Sequence, residues 1–417
     1  MAVLMSGTLV AQILSFAATP LLSRVFSPED FGVLGLVNSV ANLFVGVAGL
    51  RYDVAVVVPK EEARAANLLA LSLVAVAGTS MASLGSIALT RGHLAQAFGS
   101  PELSSWLWVA PAIVLATGWY NALSFWSIRH KSFRRLSISA VLASLSGLSG
   151  KLSGGLLGLG APGLIGGQIV GQLVATLALG AQIARDDLHR ARRVVRTSEM
   201  RKVAREHWDF PAFQAPTTIL NSLAQNLPVY VLGALFTAQT VGQWAITMTL
   251  ITLPVQVVAG SVRQVMLQRT SEAVQEGEGV HGLLLRSVLG LSAAGALPVL
   301  VIVVFAPWAF PRILGAQWAM AGELARYVSI WQLTVLSTAP VAAAFPILRL
   351  QRVVLVWQVA GIALSTGALL LASTSSAAAT VMAFALTMAL MNVALILIVL
   401  RGAKGFSRQR DDHHDAG

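Results

Sequence analysis

Twelve apolar segments, each close to the length a bilayer demands, take up most of this 417-residue chain. They fall at 3–22, 31–50, 66–89, 105–126, 137–157 and 162–183, and resume at 211–235, 241–262, 284–306, 324–345, 354–373 and 377–400. A helix needs about 20 apolar residues to cross a hydrocarbon core roughly 30 Å thick. The pattern therefore predicts an all-α polytopic membrane protein with about twelve transmembrane helices. Composition closes the alternatives. With 56% hydrophobic and 11% charged residues, the chain cannot clothe a soluble surface, since ordinary globular chains are about a quarter charged. The same apolar excess excludes intrinsic disorder. The first apolar stretch lacks a positive leader and joins a chain of similar hydrophobicity, so it reads as a first span rather than a cleaved signal.

A formal net charge of +11 would point to nucleic acid in a soluble protein. Here the cations sort by loop instead. With the N-terminus inside, the inner segments are 51–65, 127–136, 184–210, 263–283, 346–353 and 401–417. Counting Arg286 at the edge of the ninth span, they hold 24 of the 29 Lys and Arg. Such asymmetry marks the cytoplasmic side; it places both termini there and removes nucleic acid from the expected partners. The chain has no Cys, so no disulfide or thiolate chemistry is open to it.

The only long polar connection is the basic stretch 184–210. It divides the chain into a six-helix bundle over 1–183 and a second over 211–400, followed by a disordered tail, 401–417. The turn Phe26-Ser-Pro-Glu-Asp-Phe-Gly32 recurs as Phe236-Thr-Ala-Gln-Thr-Val-Gly242, 210 residues on. Six spans per half return the chain to the side it started from, so the halves read as parallel repeats.

Catalytic constellations are not visible. The outer loops are short and their acids, Glu29, Asp30, Glu102 and Glu323, stand singly, whereas acid–base work needs groups converging on one substrate. A non-enzymatic protein is expected. The tail Asp411-Asp412-His413-His414-Asp415 has metal-ligand residue types but reads as a solvated terminus, and no metal site is assigned. The run Gly158-Leu-Gly160-Ala-Pro-Gly163 matches a nucleotide-binding spacing without the preceding strand which that chemistry requires. Gly163, Gly167, Gly171 and Ala175, four residues apart, instead make a small-residue ridge, for close helix packing or for sliding.

Charges at membrane depth are the informative ones, because a cation in hydrocarbon costs roughly 2.5–3.5 kcal/mol on insertion scales. Lys151 lies well inside the fifth span. Arg24 and Arg51 lie at span ends, where a long side chain can also snorkel to the headgroups. Amides accompany them: Gln12 and Asn42 in the first two spans, and Gln214, Asn221 and Gln225 on one face of the seventh. Asn38, Gln168, Gln172, Asn226, Gln256 and Gln332 are further amides within spans. Such groups either line a wet route for a hydroxyl-rich substrate or act as interhelical glue. The substrate-binding candidates are Arg24, Arg51, Lys151, Gln12, Asn42, Gln214, Asn221 and Gln225. No Asp or Glu lies deep in a span, so a coupling ion, Na+ or H+, has no assigned site; Asp53 is the nearest candidate and is equally placed to pair with Arg51. No cofactor is indicated.

Several stretches resemble one family. They are Gly7-Thr-Leu-Val-Ala-Gln12, Pro20-Leu-Leu-Ser-Arg24 through Gly32, Leu50-Arg51-Tyr52-Asp53 through Lys60, and Glu62, Ala65, Ala66 and Asn67. In the second half come Leu227-Pro228, Gly242-Gln-Trp-Ala245, Leu253-Pro254 and Val262-Arg263-Gln264-Val265. Together they resemble the lipopolysaccharide and O-antigen flippases of the multidrug/oligosaccharidyl-lipid/polysaccharide exporter superfamily. The short segment before Gly7 departs from that pattern. The resemblance implies two six-helix bundles forming a V around a central cavity in the bacterial cytoplasmic (inner) membrane. It implies transport of an undecaprenyl-diphosphate-linked oligosaccharide, an O-antigen or exopolysaccharide repeat unit, by alternating access. Its partners would be that substrate, membrane lipids and the polysaccharide polymerase and chain-length machinery. A multidrug cation antiporter of the same fold and a membrane polymerase or glycosyltransferase are the alternatives.

Overall fold

The computed structural model describes residues 2–186, 194–276, 279–345, 347, 348 and 350–414. Twelve helices of eighteen residues or more account for most of these. They are α1 (Ala2–Val25), α2 (Pro28–Val45), α3 (Glu62–Ala97), α4 (Ala110–Arg129), α5 (Phe133–Leu156), α6 (Ala161–Asp186), α7 (Ala215–Leu235), α8 (Ala238–Glu276), α9 (Val280–Leu314), α10 (Ala319–Ala344), α11 (Gln351–Ala372) and α12 (Ala377–His414). No strand occurs among the described residues. Each expected span corresponds to one of these helices. Seven candidate spans meet length and apolarity requirements for crossing a membrane, and Leu9–Val25 and Val356–Ala372 are shorter apolar helices. In α9 only 11% of the most apolar window is buried within the protein. That much bare hydrocarbon is tolerable only against lipid. The protein is a polytopic membrane protein.

Where helix ends depart from expectation, local chemistry accounts for it. α2 stops at Val45, because the chain turns through Leu50 and Arg51, both left-handed at φ 49 and 63. α7 is preceded by a π-helical turn, Phe210–Gln214. Pro211 lies inside it and Pro216 follows it, and prolines withhold the N–H that a regular ladder needs. α12 continues to His414, so 401–414 is helix and not the irregular tail expected from its charge. Residues 187–193 of the basic linker and Asp415 lie outside the described residues, as do the side chains of Asp411, Asp412, His413 and His414.

Contacts divide the chain into two compact units, 1–242 and 243–417. The division does not fall in the basic linker, because α7 packs with the preceding helices. Tyr230 donates to the Ser39 carbonyl at 2.7 Å, and Gly46 lies against Thr218 and Ser222. In the second unit Gln243 ties α8 to the start of α10. Its amide donates to the Gln317 carbonyl at 2.7 Å and accepts from the Ala321 N–H at 2.9 Å. Trp244 and Trp331 both set their rings edge-on to Phe384.

The repeated turns have matching construction. Ser27 and Asp30 form a reciprocal capping box at the start of α2, which satisfies N–H groups that a helix start otherwise leaves bare. At the equivalent positions Thr237 accepts from the Thr240 N–H at 3.3 Å. The two turns also meet. A side-chain carbon on Gly32 would lie 1.7 Å from the Ala238 carbonyl oxygen, and one on Gly242 would lie 1.7 Å from that of Pro28. Both pairs are related by the same 210-residue offset, so the contact is reciprocal.

Candidate functional site

α1 and α5 run parallel. Gly7 packs on Ser137, Ser144 donates to the Ala11 carbonyl at 3.1 Å, and Gly155 meets Val25 and Phe26. α5 and α6 form a hairpin in which glycine meets glycine: Gly154 on Gly163, Gly150 on Gly167, Gly147 on Gly171. A side-chain carbon on Gly154 would come within 2.5 Å of the Gly163 backbone. The ridge read from the sequence is therefore a packing surface, which lets backbones approach where side chains would hold them apart.

Lys151 sits on this seam, half-buried, with its backbone N and its Cγ over Gly167. One residue further along α6, Gln168 exchanges two hydrogen bonds with Asn38 of α2, at 2.7 and 3.1 Å. Lys151 thus shares its depth with a closed pair of amides. That pairing is glue, and sequence reasoning named both residues without joining them, since they stand 130 positions apart. A turn beyond, Gln172 keeps its Nε2 buried with no hydrogen-bond partner. It borders a cavity of about 20 Å³ lined also by Thr117 and Gln168, room for about one water.

Four of the five cations that break the positive-inside pattern are engaged. Arg91 lies over the Trp108 ring at 4.8 Å and Arg312 over Trp308 at 4.3 Å. Arg326 donates to the Val303 carbonyl at 2.9 Å. Arg24, exposed in the last turn of α1, also has an interaction of its own. Lys151 is the exception: among the described residues its ammonium has no hydrogen-bond or ion-pair partner.

The remaining candidates spread over α1, α2 and α7. Gln12 is half-buried and Asn42 exposed. Asn42 lies between the two points where α2 touches α7, Ser39 opposite Tyr230 and Gly46 opposite Ser222. Asn221 is half-buried and Gln225 exposed on the α7 side of the same seam, while Gln214 closes the π-helical turn. Asn226 instead bonds its own helix, at the Ser222 carbonyl.

Arg51 and Asp53 belong to a different arrangement, in the inner segment between α2 and α3. Asp53 is buried; its Oδ1 lies against Gly49 and that one oxygen has no hydrogen-bond partner, and Arg51 Nε is likewise buried and unpartnered. No ion pair forms between them within 4 Å among the described residues, so the pairing weighed from sequence is not made. Burial pushes the Asp53 carboxyl above its ordinary value, and the Arg51 charge and backbone N–H groups offset this only in part. Tyr52, between them, donates to the Ala204 carbonyl at 3.2 Å. Asn67 holds both the Val194 carbonyl and the Arg196 N–H at 3.0 Å. These residues, quoted above for their family likeness, fasten the described part of the linker. No group of three or more His, Asp or Glu able to hold a metal occurs among the described residues.

The site thus comprises membrane-crossing helices with one unpartnered cation and several amides within the spans, and the fold is similar to solved transporter folds. The chain is similar to an inward-facing multidrug resistance MATE family transporter of the MOP superfamily (TM-score 0.74, 12% identity, 97% of this chain and 99% of that one). It is similarly close to the lipid II flippase MurJ in an inward closed conformation (TM-score 0.75, 10% identity, 96% and 88%). A MOP superfamily transporter from Pyrococcus furiosus, described as having a binding pocket of reverse polarity, is more distant (TM-score 0.56, 13% identity, 98% and 93%). At such identities the likeness establishes the fold alone. No curated protein matches by sequence. Residues 21–323 match the polysaccharide biosynthesis protein family, and the chain belongs to that family.

Proposed function

We propose that this protein is a non-enzymatic flippase carrying an undecaprenyl-diphosphate-linked oligosaccharide, an O-antigen or exopolysaccharide repeat unit, across the bacterial cytoplasmic membrane by alternating access. Membership of the polysaccharide biosynthesis family and the transporter fold support the class. The observation that carries the substrate is the partnerless Lys151 within a span. A charge held there at a cost of a few kcal/mol, with no protein counter-ion among the described residues, is matched to an anion that arrives with the substrate. A lipid diphosphate supplies one. Lys151, with Arg51 and Arg24 nearer the membrane faces, would take the diphosphate, while Gln12, Asn42, Gln214, Asn221 and Gln225 would take sugar hydroxyls. Two six-helix repeats with both termini inside would supply the moving parts, and the reciprocal Gly32 and Gly242 turns support the repeat. Asp53 remains the proposed ion-coupling residue, with H+ or Na+ as the ion. The polymerase and chain-length machinery would receive the product.

Complementation of a flippase-deleted strain tests this. At equal protein levels, Lys151→Ala should lose at least tenfold of surface polysaccharide, with lipid-linked repeat units accumulating on the inner leaflet, and Lys151→Arg should retain more. Normal polysaccharide from Lys151→Ala would remove the diphosphate role. Resistance to cationic drugs that depended on the protein, without any polysaccharide phenotype, would move the assignment to the multidrug exporters.

A further inference from the structure

The linker between α6 and α7 contains a ten-residue helix, Thr197–Glu206, that function in the spans leaves unexplained. Its two faces have opposite fates. Val203 is buried and Ala204 packs with Val194 and Val195 on the apolar cluster around Leu68 and Trp126. The rotation of the helix is then fixed by three tethers: Asn67 on the backbone at 194 and 196, Tyr52 on the Ala204 carbonyl, and an Arg64–Glu206 ion pair at 2.8 Å. What remains outward is basic. Arg201 and Arg205, four apart on one face, are exposed and have no ion-pair partner among the described residues. Lys202 is exposed beside them, paired to Glu199 at 2.6 Å.

Immediately after this helix come Trp208 and Phe213, 59% and 65% exposed, before α7 enters its span. An exposed tryptophan at a span end belongs to the headgroup region, where its ring is apolar and its N–H wet. The basic face is thus held beside the membrane surface by a neighbour that marks the surface. Of the acids nearby, Glu61, Glu62 and Glu206 are engaged by Arg64, Arg129 or His130 and Glu199 by Lys202, which leaves Asp209 as one exposed negative charge against the two of Arg201 and Arg205.

We propose that the outward face of helix Thr197–Glu206, Arg201 and Arg205 with Trp208 behind them, is a docking surface for anionic phospholipid headgroups of the adjoining leaflet. Seating on those headgroups holds the linker against α3. This holds whichever substrate crosses, and it rests on charge complementarity: a polybasic segment near an anionic leaflet gains about fivefold in association for each Lys or Arg.

Because the chain has no Cys, Ser198→Cys places a single fluorophore on this exposed face of the full-length protein. In nanodiscs of phosphatidylcholine with rising phosphatidylglycerol and a fixed amount of headgroup-quencher lipid, quenching should rise and saturate. Removing both charges, Arg201→Gln with Arg205→Gln, should weaken that association roughly 25-fold, so that quenching falls well short of saturation over the same phosphatidylglycerol range. Raising salt from about 0.1 M to about 1 M, which shortens the screening length to about 3 Å, should reverse the quenching with both arginines in place, so the outcome does not depend on how the variant folds. Quenching indifferent to phosphatidylglycerol and to salt overturns the proposal. So does quenching that appears only when a polyprenyl diphosphate is added to a neutral bilayer, which would give the face to the substrate.

Discussion

Gly32→Ala and Gly242→Ala probe the contact between the two repeated turns. Either new methyl carbon would lie 1.7 Å from a backbone carbonyl oxygen, of Ala238 or of Pro28, where approaches under 3.0 Å are essentially never observed. Both oxygens belong to backbone in capped turns, so no flexible side chain can swing away. The turns must part by about 1.3 Å, the difference between 3.0 and 1.7 Å. Overpacking of this kind costs roughly 1–3 kcal/mol. One separation relieves both clashes, so the double variant should cost little more than either single one. Equilibrium unfolding in mixed micelles would then show sub-additivity of about 1–3 kcal/mol, as expected only for residues sharing one contact.

Gly78→Ala is the matched control. It lies inside α3 with nothing within 4 Å of the added carbon, so it should stabilise the protein by roughly 0.5–1 kcal/mol. If Gly32→Ala behaves like Gly78→Ala, or if the Gly32 and Gly242 costs simply add, the reciprocal seam does not exist.

Asp53 should make stability depend on pH with an unusual sign. Its folded carboxyl binds a proton more tightly than the unfolded one, so stability is greatest below the ordinary value near 3.8. It falls as pH rises through the raised folded value; Asp53→Asn should remove that component, and a pH series of unfolding midpoints identical in both proteins would contradict it. Asn67→Ala loses two hydrogen bonds to the linker, together roughly 1–3 kcal/mol. Amide exchange over 194–206 should quicken about 5- to 150-fold while α5 and α6 keep their protection; unchanged exchange there would release Asn67 from its role. A double-mutant cycle between Asn38→Ala and Gln168→Ala should give a coupling of about 0.6–1.7 kcal/mol, against none for Asn38 with Asn226, whose amide bonds its own helix.

The sequence disclosed those features that are local in it. Hydrocarbon thickness makes a span readable from about twenty consecutive residues, which is why all twelve helices could be placed. The four-residue spacing of Gly163, Gly167 and Gly171 is local too, and their partners Gly147, Gly150 and Gly154 lie one hairpin away. The capping residues of the repeated turn kept their spacing even where Ser27 and Asp30 became Thr237 and Thr240. Partnership across helices is not local, and there the sequence was silent. Nothing in it joins Asn38 to Gln168, or Asn67 to the linker backbone near 195, because each pairing depends on how helices far apart in the chain come to lie side by side.

The same limit governs the cations. Charge counting isolated Arg24, Arg91, Lys151, Arg312 and Arg326 together, and depth in the span put Lys151 first, but neither names a partner, since an arginine stacked on tryptophan and a lysine awaiting a ligand look alike in a string of letters. Geometry separates them. Arg91 and Arg312 sit over indole faces, contacts worth roughly 0.5–2 kcal/mol, and Arg326 has a carbonyl, so each is accounted for without a substrate. Lys151 has no such account, on a helix whose neighbouring positions were given over to glycine so that α6 could come close. Moving the ammonium should therefore matter more than keeping it. With Lys151→Ala, returning a lysine about one turn away in place of Leu148 should fail to restore export even though the charge is conserved. Restoration from that position would mean that the charge acts through topology and not through place.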